Sequence, residues 1–302
     1  MVSKRIRNYH PASIPRDFGA LMQASFHLWA ASLRPVFGDA LLASLCSSLP
    51  LLPWWWATRG RFADDPLNAW LDPAITQPGA FTLVASVLLS VLALWFFLSL
   101  LGRQGLIARG RIDPGAQPVT LALQRLPAAL VASLSYCALI ALALAPVGVA
   151  MPVGRAADDP LMPLLALLIG LLLSAAPLAW VSIAACFIYP PILLDGVGPL
   201  AAQRLSFRLV SGHWTRCAVV LSIATLIVIG LLGVVGAVPF LITAAIAVAN
   251  GGLEALLRPG WLVFGQILTA PFMALLLPLM TAAYLVCYED LRVRTLMQFS
   301  PK

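Results

Sequence analysis

The sequence is poor in charge. Asp, Glu, Lys and Arg make up 10% of its 302 residues, against about 25% in an ordinary soluble domain, which excludes a water-soluble globular chain. Lysine stands only at Lys4 and Lys302. Histidine occurs only at His10, His27 and His213, far apart, so a structural metal site is not expected. The five cysteines, Cys46, Cys137, Cys186, Cys217 and Cys287, are odd in number and lack C-x-x-C spacing. They fall in or at the end of apolar runs, which excludes a disulfide framework. No G-x-S-x-G, H-E-x-x-H or glycine-rich phosphate loop is present. With no set of acids, His or Ser/Lys to assemble, the sequence points away from an enzyme, and no cofactor is expected.

What is abundant is apolar: 61% hydrophobic side chains and a mean hydropathy of +0.94. The apolar residues come in runs near the twenty or so needed to cross a bilayer. They predict an all-α polytopic bundle with six spans at about 35–56, 80–101, 127–151, 161–194, 215–238 and 261–287, in a single membrane domain over 1–302. The tails are 1–34 and 288–302. The fourth run is long and holds Pro177 and Pro190-Pro191, so a kink or tilt is expected there. After Pro239 the stretch to Ala249 is too short to span and reads as an interfacial or re-entrant piece. Ala, Leu and Arg richness fits a GC-rich bacterial genome.

The net charge is +7, and its placement sets orientation, because basic loop residues resist translocation. Fifteen Lys and Arg fall on the side of both termini and four, Arg59, Arg61, Arg155 and Arg258, on the other. This predicts an inner-membrane protein with both ends cytoplasmic. Trp54-Trp55-Trp56 and Trp261 suit the external interface and Trp214 the cytoplasmic one. The basic start at Lys4, Arg5 and Arg7 runs into Pro11, Pro15 and Asp17 without a cleavage pattern, so the N-terminus is expected to be retained.

Three amphipathic cytoplasmic helices are predicted. The first, 17–33, sets Phe18, Leu21, Met22, Leu28, Trp29 and Leu33 opposite Gln23 and His27, with Ser25 between the apolar residues. The second begins after Pro118. The third follows Pro199, with Leu205 and Leu209 opposite Arg204, Arg208 and Ser211, and each proline suits a first helical turn. Each helix precedes a pair of spans, so a threefold repeat of interfacial helix plus hairpin is expected. Arginines on such a face attract anionic lipid by about 1 kcal/mol each near the surface.

The stretch 189–216 carries Pro190, Pro191, an Asp195-Gly196 turn, Gly198, Ala202, Ser206, Leu209, Gly212, Trp214 and Arg216. It resembles a segment of bacterial membrane proteins of the glycerophosphoryl diester phosphodiesterase membrane-domain and YciC-like type. The ending Tyr284-Leu-Val-Cys-Tyr-Glu-Asp-Leu-Arg292-Val-Arg294 is similar to how those chains close their last span. The resemblance implies a six-span inner-membrane protein without a settled activity, and the soluble phosphodiesterase barrel is missing. Read from the residues alone, Asp195 and Gly196 turn the chain, Gly212 supplies a left-handed cap, and Ser206 lets its helix lie close to the bundle.

The functional candidates divide in two. Arg125, Arg204, Arg208 and Arg216 are expected to contact anionic lipid or a membrane partner. Asp39, near the start of the first span and close to Arg34, forms with Gln266 and Thr269 the candidate intramembrane polar site. Ser133 with Tyr136 reads as helix glue. Gly170, Ser174, Gly230, Gly233 and Gly236 read as close-packing surfaces within the bundle or in a homo-oligomer. The leading expectation is a non-catalytic lipid- or partner-binding envelope protein. A transporter or accessory permease is the alternative, a lipid-modifying enzyme the third, and nucleic acid is not an expected partner.

Overall fold

A computed structural model describes residues 14–49, 51–58, 79–110, 117–155, 161–251 and 259–299. The basic start Lys4 to Arg7, the first long loop with Arg59 and Arg61, and Arg258 lie outside the described residues. Among those described, every regular element is a helix. In chain order they are α1 (Phe18–Ser48), α2 (Leu51–Thr58), α3 (Ala80–Ala108), α4 (Gln117–Ala143), α5 (Ala145–Arg155), α6 (Met162–Ala184), α7 (Tyr189–Leu194), α8 (Pro199–Ser211), α9 (Trp214–Gly251) and α10 (Pro259–Phe299).

Five segments among the described residues are long and apolar enough to cross a membrane: Ala80–Ala108, Gln117–Ala143, Met162–Leu194, Trp214–Gly251 and Val263–Thr295. They are consistent with a multi-pass integral membrane protein. α10 is the central one, with 61% of its most apolar window buried against 17% for α3. It packs along α1, α3 and α9.

The predicted boundaries shift at five places. The first amphipathic helix does not stop at Leu33. Asp17 caps α1 by accepting from the Ala20 N–H at 2.7 Å, and the helix runs through Pro35 to Ser48. Likewise α4 runs through Pro127. A proline removes one N–H and frees one carbonyl, which a long helix packed on neighbours tolerates. The third run ends at Ala143, and α5 packs on α6, where Gly170 lies so close that a Cβ would meet the Val147 Cα at 2.9 Å. The fourth run breaks at 185–188, beyond Pro177, and Pro190-Pro191 begin α7. The stretch after Pro239 is no separate piece: α9 continues to Gly251, about 57 Å at 1.5 Å per residue.

Burial is concentrated at one end of the bundle. Leu21 and Leu28 of α1, Leu98 and Ile107 of α3, Phe187, Val210, Cys217, and Leu285, Tyr288 and Leu291 of α10 form one cluster. Towards the other end Leu83, Leu88, Leu172, Leu226, Val234 and Phe240 point outward. So much exposed apolar surface would be a liability in water and is the ordinary face of a helix in acyl chains. The buried stripe of α1, Leu21, Ser25, Leu28, Ser32, Val36 and Ala40, keeps the predicted helical spacing, with Gln23 and His27 outside.

Candidate functional site

Polar side chains cluster where α1, α3 and α10 meet and again at the buried end. Asp39 is not near the start of its helix. It lies well inside α1, where its carboxylate accepts from Ser99 Oγ and Arg103 Nε of α3, each at 3.1 Å. Arg34, the expected neighbour, is exposed. One residue beyond Arg103, the fully buried Gln104 ties three helices. Its Nε2 donates to Ser32 Oγ and to the Pro278 carbonyl, both at 2.9 Å, and its Oε1 accepts from Thr281 Oγ1 at 2.5 Å.

The other two members of the predicted intramembrane site lie elsewhere. Gln266 is exposed, and Thr269 donates to its own helix at the Gln266 carbonyl. No hydrogen bond among the described residues joins either to Asp39. Ser133 reaches Tyr189, with the hydroxyls 2.9 Å apart, and Gly230 and Gly233 face open space.

At the buried end two carboxylates act as hubs. Asp195, in the turn after α7, accepts from Arg109 at 3.0 Å, from Arg292 at 3.2 Å and from the Tyr288 hydroxyl at 2.8 Å. Arg109 also bonds Glu289 at 3.2 Å and the Leu194 carbonyl at 3.0 Å. Burial alone would lower the Arg109 pKa, but the facing carboxylates of Glu289 and Asp195 outweigh it and raise it, so the cation is fixed. The second hub, Asp290, is fully buried. It accepts from the Arg16 N–H at 2.7 Å, from Arg294 at 2.8 Å and from Arg216 at 3.4 Å, while Arg216 and Arg294 both reach back to the Arg16 carbonyl.

The turn itself follows from two residues. Gly196 has φ +69° and closes α7, with the Val197 N–H donating to the Pro191 carbonyl at 3.1 Å. The Arg125 guanidinium fills the space above it, 2.8 Å from where a Cβ would stand. Gly212 has φ −80°, so the left-handed position belongs to Gly196 and not to Gly212. Ser206 is fully buried on α8. It donates to the Ala184 carbonyl at 2.7 Å and accepts from the Phe187 N–H at 3.2 Å, pinning the break between α6 and α7. Both of these bonds go to backbone, and among the described residues no side-chain base bonds it, so Ser206 serves as a fastening between α8 and this break.

The arginines therefore fall into two groups. Arg103, Arg109, Arg216, Arg292 and Arg294 each meet a carboxylate, Arg216 among them although it is one of the four expected to contact lipid or a membrane partner. Arg125, Arg204 and Arg208 meet none among the described residues, and Arg204 and Arg208 are exposed on α8. They border a groove of about 400 Å³ whose lining also includes Leu139, Leu200, Gln203 and Phe207. Sequence reasoning passed over Gln104, Tyr288, Glu289 and Asp290. The only signal was the charged Tyr288 to Arg294 run closing an apolar helix. Among the described residues no group of three or more His, Cys, Asp or Glu is placed to hold a metal ion. No protein-family model matches the chain, and neither a curated protein nor a solved structure is similar to it.

Proposed function

We propose that this chain is a non-catalytic bacterial inner-membrane protein that binds anionic lipid at its cytoplasmic face through α8. The observation that carries the reading is the division of the arginines. Arg103, Arg109, Arg216, Arg292 and Arg294 are neutralised by Asp39, Asp195, Glu289 and Asp290, whereas Arg204 and Arg208 meet no carboxylate among the described residues and stand on an exposed helix face. An unpaired basic face at the membrane surface is drawn to anionic headgroups. Positive-inside placement supports cytoplasmic termini, with α1 and α2 completing a sixth span. α1 needs less hydropathy than the other five because it packs between α3 and α10 and turns Ser32, Asp39 and Ser44 towards protein, not lipid. Against transport speaks the pairing of Asp39 with Arg103 and Ser99, which engages the one acidic side chain that α1 carries inside the bundle among the described residues.

The test is extraction with native lipid in polymer discs, followed by mass spectrometry of the lipids that remain with the protein. The wild type should enrich anionic over zwitterionic lipid, and an Arg204→Ala/Arg208→Ala variant should lose that enrichment. Equal lipid profiles for the two proteins would sink the reading.

A further inference from the structure

The groove between α4 and α8 has a chemical character more specific than positive charge. Its polar lining consists of Gln203, Arg204 and Arg208. The Gln203 Oε1 is taken by the Ser135 hydroxyl of α4 at 2.6 Å, which leaves the amide N–H groups as that side chain's contribution. Among the described residues of the lining, every remaining polar side-chain group is thus a donor, two guanidiniums and one amide, and none is a carboxylate. Such a set selects an oxyanion. The rest of the lining, Leu139, Leu200 and Phe207, is apolar, and Phe207 is backed by Trp180 of α6 with ring centroids 5.3 Å apart. An inorganic ion would leave that wall unused.

Arg204 and Arg208 stand at i and i+4, side by side on one face, where like charges repel. A singly charged phosphodiester offers two terminal oxygens and one charge to three donor groups. A phosphomonoester offers three terminal oxygens and about −1.5 to −2 charges near neutral pH, which matches the donors in number and the arginines in charge.

We propose that this groove is a binding site for a lipid phosphomonoester, with its phosphate held by Arg204, Arg208 and the Gln203 amide and its chain laid along Leu139 and Phe207. The inference rests on the anionic-lipid reading above and narrows it to one headgroup class at one place. Arg125 lies at the Gly196 turn and outside the groove, so it takes no part.

The experiment uses the full chain in nanodiscs of phosphatidylcholine carrying equal amounts of phosphatidic acid and phosphatidylglycerol with the same acyl chains. Lipid retained on the protein after mild detergent exchange is counted by native mass spectrometry. The expected result is one phosphatidic acid per chain, retained about tenfold over phosphatidylglycerol, the gain from one more charge-assisted contact. Arg204→Ala/Arg208→Ala should abolish the preference. Leu139→Trp, which fills the groove and leaves every charge in place, should do the same, while Arg34→Ala should not. Leu200→Trp, at an exposed position on the other wall, stands in if Leu139→Trp does not elute as a folded species.

Equal retention of the two anionic lipids, lost in the double arginine variant, would overturn the phosphomonoester site and leave the broader reading intact. Retention of neither above phosphatidylcholine would overturn both. A preference that survives both tryptophan variants would place the site elsewhere. Displacement of phosphatidic acid by millimolar inorganic phosphate would show that the apolar wall contributes nothing and would refute a lipid ligand.

Discussion

Replacing Gln104 with Leu keeps the side-chain volume nearly unchanged and removes a three-way tie between α1, α3 and α10. Three hydrogen bonds are lost, to Ser32, Pro278 and Thr281. Their partners are not orphaned, because Ser32 still donates to the Trp29 carbonyl at 3.3 Å and Thr281 to the Leu277 and Pro278 carbonyls at 3.2 Å. The cost is therefore that of the bonds themselves, at about 0.6 kcal/mol for an average bond between membrane helices, which gives about 2 kcal/mol. That is about thirtyfold in the folding equilibrium. Reversible unfolding in mixed micelles, titrated with a denaturing detergent, measures it. Thr281→Val alone leaves the buried Gln104 Oε1 without its donor and should cost about 1–3 kcal/mol, whereas adding it to Gln104→Leu should cost little more, since the bond it removes is already gone. A Gln104→Leu variant as stable as wild type, or strict additivity of the two changes, would refute the reasoning.

The other expectations follow the same geometry. Asp290→Ala leaves Arg216 and Arg294 without their shared carboxylate and the Arg16 N–H without its acceptor. It should cost about 3 kcal/mol in the same titration, at the lower end for a broken buried pair because both guanidiniums can still reach water. Ser206→Ala strips both bonds from the break between α6 and α7 and should cost about 1–3 kcal/mol, while leaving lipid retention per folded chain unchanged. Gly196→Ala forces a side chain into a positive-φ position already filled by Arg125. It should lower the thermal midpoint by an amount corresponding to about 1 kcal/mol or more, whereas Gly230→Ala, in open space, should be neutral or stabilising.

Much of the architecture was legible because it follows from local rules. The apolar runs marked the helices, Pro199 marked the start of α8, and the stripe of Leu21, Ser25 and Leu28 marked the inward face of α1. The boundaries that moved did so where prolines sit inside long apolar stretches. Pro35, Pro127 and Pro239 read as breaks, yet each costs a single backbone bond, and in a membrane the helix that keeps all its other bonds is favoured over an irregular segment. The hubs were illegible for a different reason. Arg16 and Asp290 are 274 residues apart, and Tyr288 and Asp195 are 93 apart, so no spacing rule connects them. Asp39 is legible as an ionisable residue in a span, but its partner Arg103 lies in what the sequence marks as a basic loop. Arg216 lies on one basic stretch with Arg204 and Arg208, and the packing of α9 on α10 is what sets it beside Asp290.

The division of the arginines can be tested directly: Arg216, ion-paired to Asp290, holds the fold, and Arg204 and Arg208 hold lipid. The decisive measurement takes Arg216→Ala and Arg204→Ala/Arg208→Ala side by side, each scored for unfolding stability and for anionic lipid retained per folded chain. Arg216→Ala should lose stability and keep its lipid, while the double variant should keep its stability and lose its lipid. If both variants lose lipid in proportion to their charge, or if neither does, the division of the arginines has no functional meaning and the claim fails.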